Sequence, residues 1–133
     1  MSGSYILVIQ LQEESELKIG ALGSKVFKKG YYLYVGSAMG KRGSTSLINR
    51  VKRHISSPCE KSKHWHIDYL LENEYANIIR ILLIPSINKI ECIISSEIKK
   101  RSDGLIENFG SSDCTCRSHL YYFSNYYNIP FKL

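Results

Sequence analysis

Residues 31–56 read YYLYVGSAMGKRGSTSLINRVKRHIS. The stretch passes from a tyrosine-rich strand over residues 31–35, through a Gly/Ser loop from Gly36 to Gly43, into a helix over roughly residues 47–56. Ser44 or Thr45 supplies the hydroxyl that caps such a helix. Leu47, Val51 and Ile55 recur every four residues and are predicted to face the core, which leaves Arg50 and His54 together on another face. The loop has no bulky side chains at Gly36, Gly40 and Gly43, so a phosphate can come close to its backbone N–H groups.

Working outward, residues 5–11 (YILVIQL) form an apolar, β-branched run and are predicted to be a buried strand. Residues 17–27 carry Gly20 and Gly23 and read as a hairpin or an irregular strand, followed by a turn at Lys28-Lys29-Gly30. Residues 63–73 fit a short helix, and residues 76–84 an isoleucine-rich strand. Residues 86–101 read as a helix with Ile87, Ile90, Ile94 and Ile98 on one stripe. A loop over residues 104–112 leads to a last strand at residues 119–123. Mixed strands and helices of this kind give an α+β fold: one domain over residues 1–133, with a small mixed or antiparallel sheet flanked by helices.

The composition is ordinary for a globular chain, 44% hydrophobic and 23% charged, which excludes a disordered tail or a fibre. A chain of 133 residues buries enough surface to fold without a metal or a disulfide. No stretch is long and apolar enough to span a bilayer, and the N-terminal residues lack the order of a signal peptide. These features lead to the expectation of a soluble, cytoplasmic protein with no membrane partner.

The net charge of +6 is concentrated in one window. Residues 41–66 hold seven basic side chains (Lys41, Arg42, Arg50, Lys52, Arg53, Lys61, Lys63) against the single acid Glu60, and the rest of the chain has eleven of each sign. His54, His64 and His66 lie in the same window, with Trp65 among them and Tyr69 just beyond. A basic patch interleaved with aromatic rings suits a phosphate backbone, where each cation displaces a condensed counterion. The expected partner is nucleic acid, DNA ahead of RNA, with a protein partner or a second copy of the chain also possible. Asp68 is four residues after His64 and is expected to pair with it; Asp113, beside Ser111 and Ser112, reads as a turn or cap residue.

Cys59, Cys92, Cys114 and Cys116 do not look like a secreted disulfide framework. Cys114, Cys116 and His119 supply three metal ligands, whereas a zinc site takes four, normally in two separated pairs. The sequence contains no second cysteine pair, so thiols in a loop entering a buried strand are expected in preference to a metal.

These segments resemble the GIY-YIG nuclease superfamily. Its Gly-x-Tyr motif resembles Gly3-Ser4-Tyr5, and its Tyr-x-Gly motif resembles Tyr34-Val35-Gly36, with the match continuing through Ala38. The helix bearing Arg and then His or Tyr four residues later resembles Arg50 to His54. The helix carrying a metal-binding Glu resembles Glu91-Cys-Ile-Ile94. The segments HWHIDYLL (64–71) and FGSSDCTC (109–116) are similar to a small stand-alone branch of the superfamily, and the resemblance runs from residue 3 to about 122. The chain departs from the family pattern in the segment added between Tyr5 and Tyr34, in a longer loop before Arg50, and in Ser37, where some members have lysine.

The resemblance implies a metal-dependent endonuclease that hydrolyses phosphodiester bonds. It implies that Tyr5 or Tyr34 accepts a proton from water, and that Arg50 donates to the phosphate. His54 then shares proton transfer or orients a phosphate, and Glu91 holds Mg²⁺ or Mn²⁺. A tyrosine is a poor base at neutral pH, and Arg50 nearby is expected to lower its pKa. Glu97 is the rival metal ligand, since it falls inside the expected isoleucine stripe. Lys41, Arg42, Lys52, Arg53, Lys63, His64 and His66 are the candidate contacts to nucleic acid. The alternative reading is a non-catalytic nucleic-acid-binding module on the same scaffold.

Overall fold

The structure is a computed structural model that describes residues 1–40, 43, 46–56, 65–111 and 114–130. The first strand, β1 (Gly3–Leu11), lies inside a five-stranded antiparallel sheet. It pairs on one side with β4 (Gly30–Ala38), in register from Gly3 opposite Ala38 to Leu11 opposite Gly30. On its other side lies β5 (Ala76–Pro85), an edge strand that bulges opposite Val8 and Ile9. Beyond β4, the sheet is completed by β7 (Leu120–Phe123) and β6 (Gly104–Leu105), in the order β5-β1-β4-β7-β6. The segment expected to be a hairpin or an irregular strand forms a separate hairpin, β2 (Ser15–Lys18) and β3 (Ser24–Phe27), joined through a 3₁₀ turn at Gly20–Leu22.

β1 reads as an unbroken apolar run because both of its faces are covered. Tyr5, Leu7, Ile9 and Leu11 point into one core layer with Tyr32, Tyr34, Leu47, Val51, Ile67, Leu70 and Phe109. Ile6 and Val8 point into the opposite layer with Leu33, Val35, Ile98, Tyr121 and Phe123. The first layer lies under α1 (Leu47–Ile55) and α2 (His66–Leu71), and the second under α3 (Glu91–Lys99). The α+β class read from the sequence is the observed one, and the sheet is antiparallel throughout. Among the described residues no helix is long and apolar enough to cross a membrane.

Three local expectations are corrected. Ser44 and Thr45 lie outside the described residues, and the cap of α1 is Ser46, whose extended backbone lets its Oγ accept from the Asn49 N–H. On α1, Ile55 is 56% exposed and His54 is buried in its place. At about 100° per residue, position 54 returns to within about 20° of Leu47, whereas position 55 overshoots by about 80°. The third correction concerns α3, which starts at Glu91 and not at Ser86. Ser86 donates its hydroxyl to the Asn88 carbonyl in a local turn, which leaves Ile87 91% exposed outside the helix. The buried stripe of α3 is therefore Glu91, Ser95 and Ile98, with Ile94 half-buried beside it.

Candidate active site

Two glycines allow the strands to bring their tyrosines together. Tyr5 on β1 faces Gly36 on β4, and a Cβ built on Gly36 would overlap the ring and hydroxyl of Tyr5. Gly3, across from Pro85, lies so close to β5 that a Cβ there would overlap the Ile84 carbonyl. The Tyr5 and Tyr34 ring centroids are then 6.3 Å apart. α1 lays His54 against both, at 5.4 Å from the Tyr5 ring and 6.2 Å from the Tyr34 ring. Tyr5 Oη and His54 Nε2 are 2.7 Å apart in a buried hydrogen bond. With His54 neutral and accepting at Nε2, Tyr5 is the donor. Gly110 closes a turn against Tyr34 from the other side, and its N–H donates to His66 Nδ1 at 2.8 Å.

Arg50 is one turn before His54 on α1. Its guanidinium donates to the Ser37 carbonyl at 3.2 Å and lies over the Trp65 ring, 4.5 Å from the centroid. Its Nε is buried and has no hydrogen-bond partner among the described residues. A buried donor left without a partner is costly, and the same guanidinium lies within hydrogen-bonding reach of Tyr5, whose pKa it lowers.

Glu91, the first residue of α3, is only 7% exposed, and its Oε1 is 3.2 Å from Lys89 Nζ. It is close enough to both tyrosines to raise their pKa values. Glu97 points elsewhere: its side chain is 67% exposed and pairs with Lys100. Of the two rival carboxylates, only Glu91 belongs to the tyrosine cluster.

Burial decides the protonation of the phenols. Desolvation pushes Tyr5 well above the ordinary tyrosine value, and Arg50 only partly offsets this while Glu91 adds to it. Tyr34 is pushed up in the same way, chiefly by burial, with Tyr5 and Glu91 adding to the effect. The expected lowering by Arg50 is present in direction but loses to desolvation. Both phenols are therefore neutral at physiological pH, and Tyr5 has His54 as an acceptor for its proton.

The remaining expected contacts divide. Lys41, Arg42, Lys63 and His64 lie outside the described residues. Lys52 is exposed on α1. Arg53 is engaged within the fold: its two terminal nitrogens donate to the two carboxylate oxygens of Asp68 at 2.8 and 2.9 Å, and it also lies over Trp65 at 4.3 Å. Asp68 is fully buried and additionally accepts from the Trp65 N–H, so it serves Arg53 and the start of α2. The expected partner of Asp68, His64, lies outside the described residues. His66 packs edge-to-face against Phe109 at 5.6 Å and is held by the Gly110 bond, so its role in the fold is to join α2 to the Phe109-Gly110 turn. An open groove of about 490 Å³ runs past His54 between the end of α1 and β5, bounded by Ser56, Ile78, Arg80 and Ile81.

A second cluster lies next to Glu91 in sequence. Cys92, Cys114, Cys116 and His119 bring their ligand atoms within 4.8 Å of one another, a group able to hold a metal ion. The spacing of Cys114, Cys116 and His119 lacked a fourth ligand, and α3 provides it in Cys92. Nothing in the linear spacing joins position 92 to position 114; only the packing of α3 beside the segment leading into β7 does so.

Over residues 4–132 the chain matches the family described as Domain of unknown function DUF123, and it belongs to that family. No curated protein and no solved structure matches it.

Proposed function

We propose that this protein is a metal-dependent endonuclease of GIY-YIG type, acting on the phosphodiester backbone of DNA or of a structured nucleic acid. The observation that carries this reading is the convergence of Tyr5, Tyr34, Arg50, His54 and Glu91 on one end of the sheet, with Tyr5 hydrogen-bonded to His54 at 2.7 Å. A module that only binds nucleic acid needs basic side chains. It does not need a buried carboxylate or a tyrosine tied to a buried histidine.

In this mechanism Arg50 takes a non-bridging phosphate oxygen on its unsatisfied Nε–H, stabilising the charge that builds as water attacks phosphorus. Tyr5 accepts the proton of the attacking water as it passes its own proton to His54 Nε2, so no free phenolate forms in the buried site. The P–O bond to the leaving sugar breaks, and that oxygen takes a proton from solvent. The oxygen donors here suit a hard divalent cation, since Glu91 contributes a buried carboxylate beside two phenols. Mg²⁺ or Mn²⁺ held by Glu91 would supply charge neutralisation at the phosphate and the leaving oxygen.

The test is cleavage of supercoiled, single-stranded, flapped and branched DNA and of structured RNA, in Mg²⁺ or Mn²⁺ against EDTA. Cutting that needs metal, is lost in Glu91→Ala and Arg50→Ala, and survives in Glu97→Ala is the expected result. The second reading is a non-catalytic nucleic-acid-binding module, favoured by the raised pKa of both phenols. Binding without cutting on every substrate would select it.

A further inference from the structure

We propose that Cys92, Cys114, Cys116 and His119 bind one zinc ion in a closed, structural site that fastens α3 to the segment entering β7. This proposal stands apart from the nuclease reading and does not depend on it.

The donor set carries the inference. Three thiol sulfurs and one imidazole nitrogen lie within 4.8 Å of one another. Four ligands around zinc at about 2.0–2.3 Å span roughly 3.3–3.8 Å between ligand atoms, a small contraction from this arrangement. None of the three cysteines is in a disulfide. No carboxylate is in the group, so it is a soft set that selects zinc over magnesium or calcium. Four protein ligands fill a tetrahedron and leave no position for water, which is the mark of a structural and not a catalytic site.

The histidine is oriented as a ligand. His119 is fully buried, its Nε2 is 3.1 Å from Cys114 Sγ, and its Nδ1 is 2.6 Å from Ser95 Oγ. A proton on Nδ1 donated to Ser95 leaves the Nε2 lone pair facing the thiols, the arrangement that fixes a metal-bound imidazole. Ser95 is itself buried, three residues after Cys92 on α3. One helix therefore provides both a ligand and the group that aims another. The remaining ligands come from a short segment, where the Cys114 N–H donates to the Ser111 carbonyl.

The site joins elements that are distant in the chain. Cys92 is in the first turn of α3, directly after Glu91, so zinc would fix the end of the helix from which Glu91 projects. Each cysteine is partly exposed, which gives an ion or a chelator a path to the sulfurs.

The test uses the full chain, purified without a histidine tag or added metal and under reducing conditions. Elemental analysis should find one zinc per chain, released when a mercurial blocks the thiols. Stripping the zinc should lower the melting temperature, and zinc alone should restore it. Ser95→Ala removes only the hydroxyl and should weaken zinc binding roughly 10- to 100-fold. Cys92→Ser should lose stoichiometric zinc, while Cys59→Ser should keep it.

If the cysteine variants fail to fold, cobalt substitution of the natural protein decides. Intense tetrahedral bands with thiolate charge transfer support the site, and a weak octahedral spectrum overturns it. Zinc well below stoichiometry, iron in its place, a disulfide among the three thiols, or zinc lost only in Cys59→Ser would each overturn the proposal.

Discussion

Tyr5 and Gly36 face each other across β1 and β4, and the Tyr5 ring occupies the space where a side chain at position 36 would begin. The glycine is thus required by the tyrosine and not by a turn. Gly36→Ala forces the ring aside and breaks the 2.7 Å contact with His54. Overpacking of this kind costs about 1–3 kcal/mol of stability, and a displacement near 1 Å costs roughly 100-fold in rate. Chemical denaturation and single-turnover cleavage would measure the two effects; an alanine variant with unchanged stability and rate would contradict the crowding.

Tyr5 and His54 act as one unit in the proposed proton transfer, so their losses should not add. Tyr5→Phe and His54→Gln should each lower kcat by roughly 10²–10⁴, with substrate affinity little changed. The double variant should be about as slow as the slower single one. Independent, multiplicative losses would mean that the two residues serve separate steps.

Two neighbouring cations on α1 should behave in opposite ways. Lys52 is exposed, and Lys52→Ala should reduce the salt slope of DNA binding by about 0.9 while leaving the melting temperature unchanged. Arg53 holds the buried Asp68 with two hydrogen bonds, so Arg53→Ala or Asp68→Asn should cost about 3–5 kcal/mol of stability. Filter binding over a salt series and urea unfolding separate the two effects. A salt slope that moves with Arg53 and not with Lys52 would reverse the assignment.

His66 gives the fold a pH dependence. Desolvation lowers its pKa below the ordinary value, and its Nδ1 accepts the Gly110 N–H only when unprotonated. The unfolded chain therefore takes up the proton first as pH falls, and stability drops below about pH 6.5. His66→Asn keeps an acceptor without the titration. Its stability should fall less than that of the natural protein between about pH 7.5 and 5.5. Parallel curves would remove His66 from the effect.

The strands at residues 5–11 and 31–35 were legible from their apolar and tyrosine-rich runs, whereas the pairing of Tyr5 with Tyr34 was legible only through the resemblance. Glu91 was legible from the resemblance, although the stripe drawn through Ile87 misplaced the helix and raised Glu97 as its rival. That error came from a local hydroxyl at Ser86 that bends the chain before the helix can begin. Ile55 and His54 were exchanged because a four-residue repeat drifts against the 3.6-residue turn. The partners of Cys92 and Arg53 escaped the sequence for another reason: Cys114 and Asp68 come near them only after the helices pack, and no sequence interval encodes that.

β1 is synthesised early yet sits inside the sheet, between two strands that follow it. Its hydrogen bonds to β4 run back to Ala38, and those to β5 wait until Pro85 has been made. A nascent chain therefore carries an apolar strand with both edges open while much of the domain is still being made, the condition in which chains stick to one another. Pairings this distant also slow the closing of the sheet. Tyr5, set near the start of that strand, gains its final surroundings only when the last of these pairings has formed.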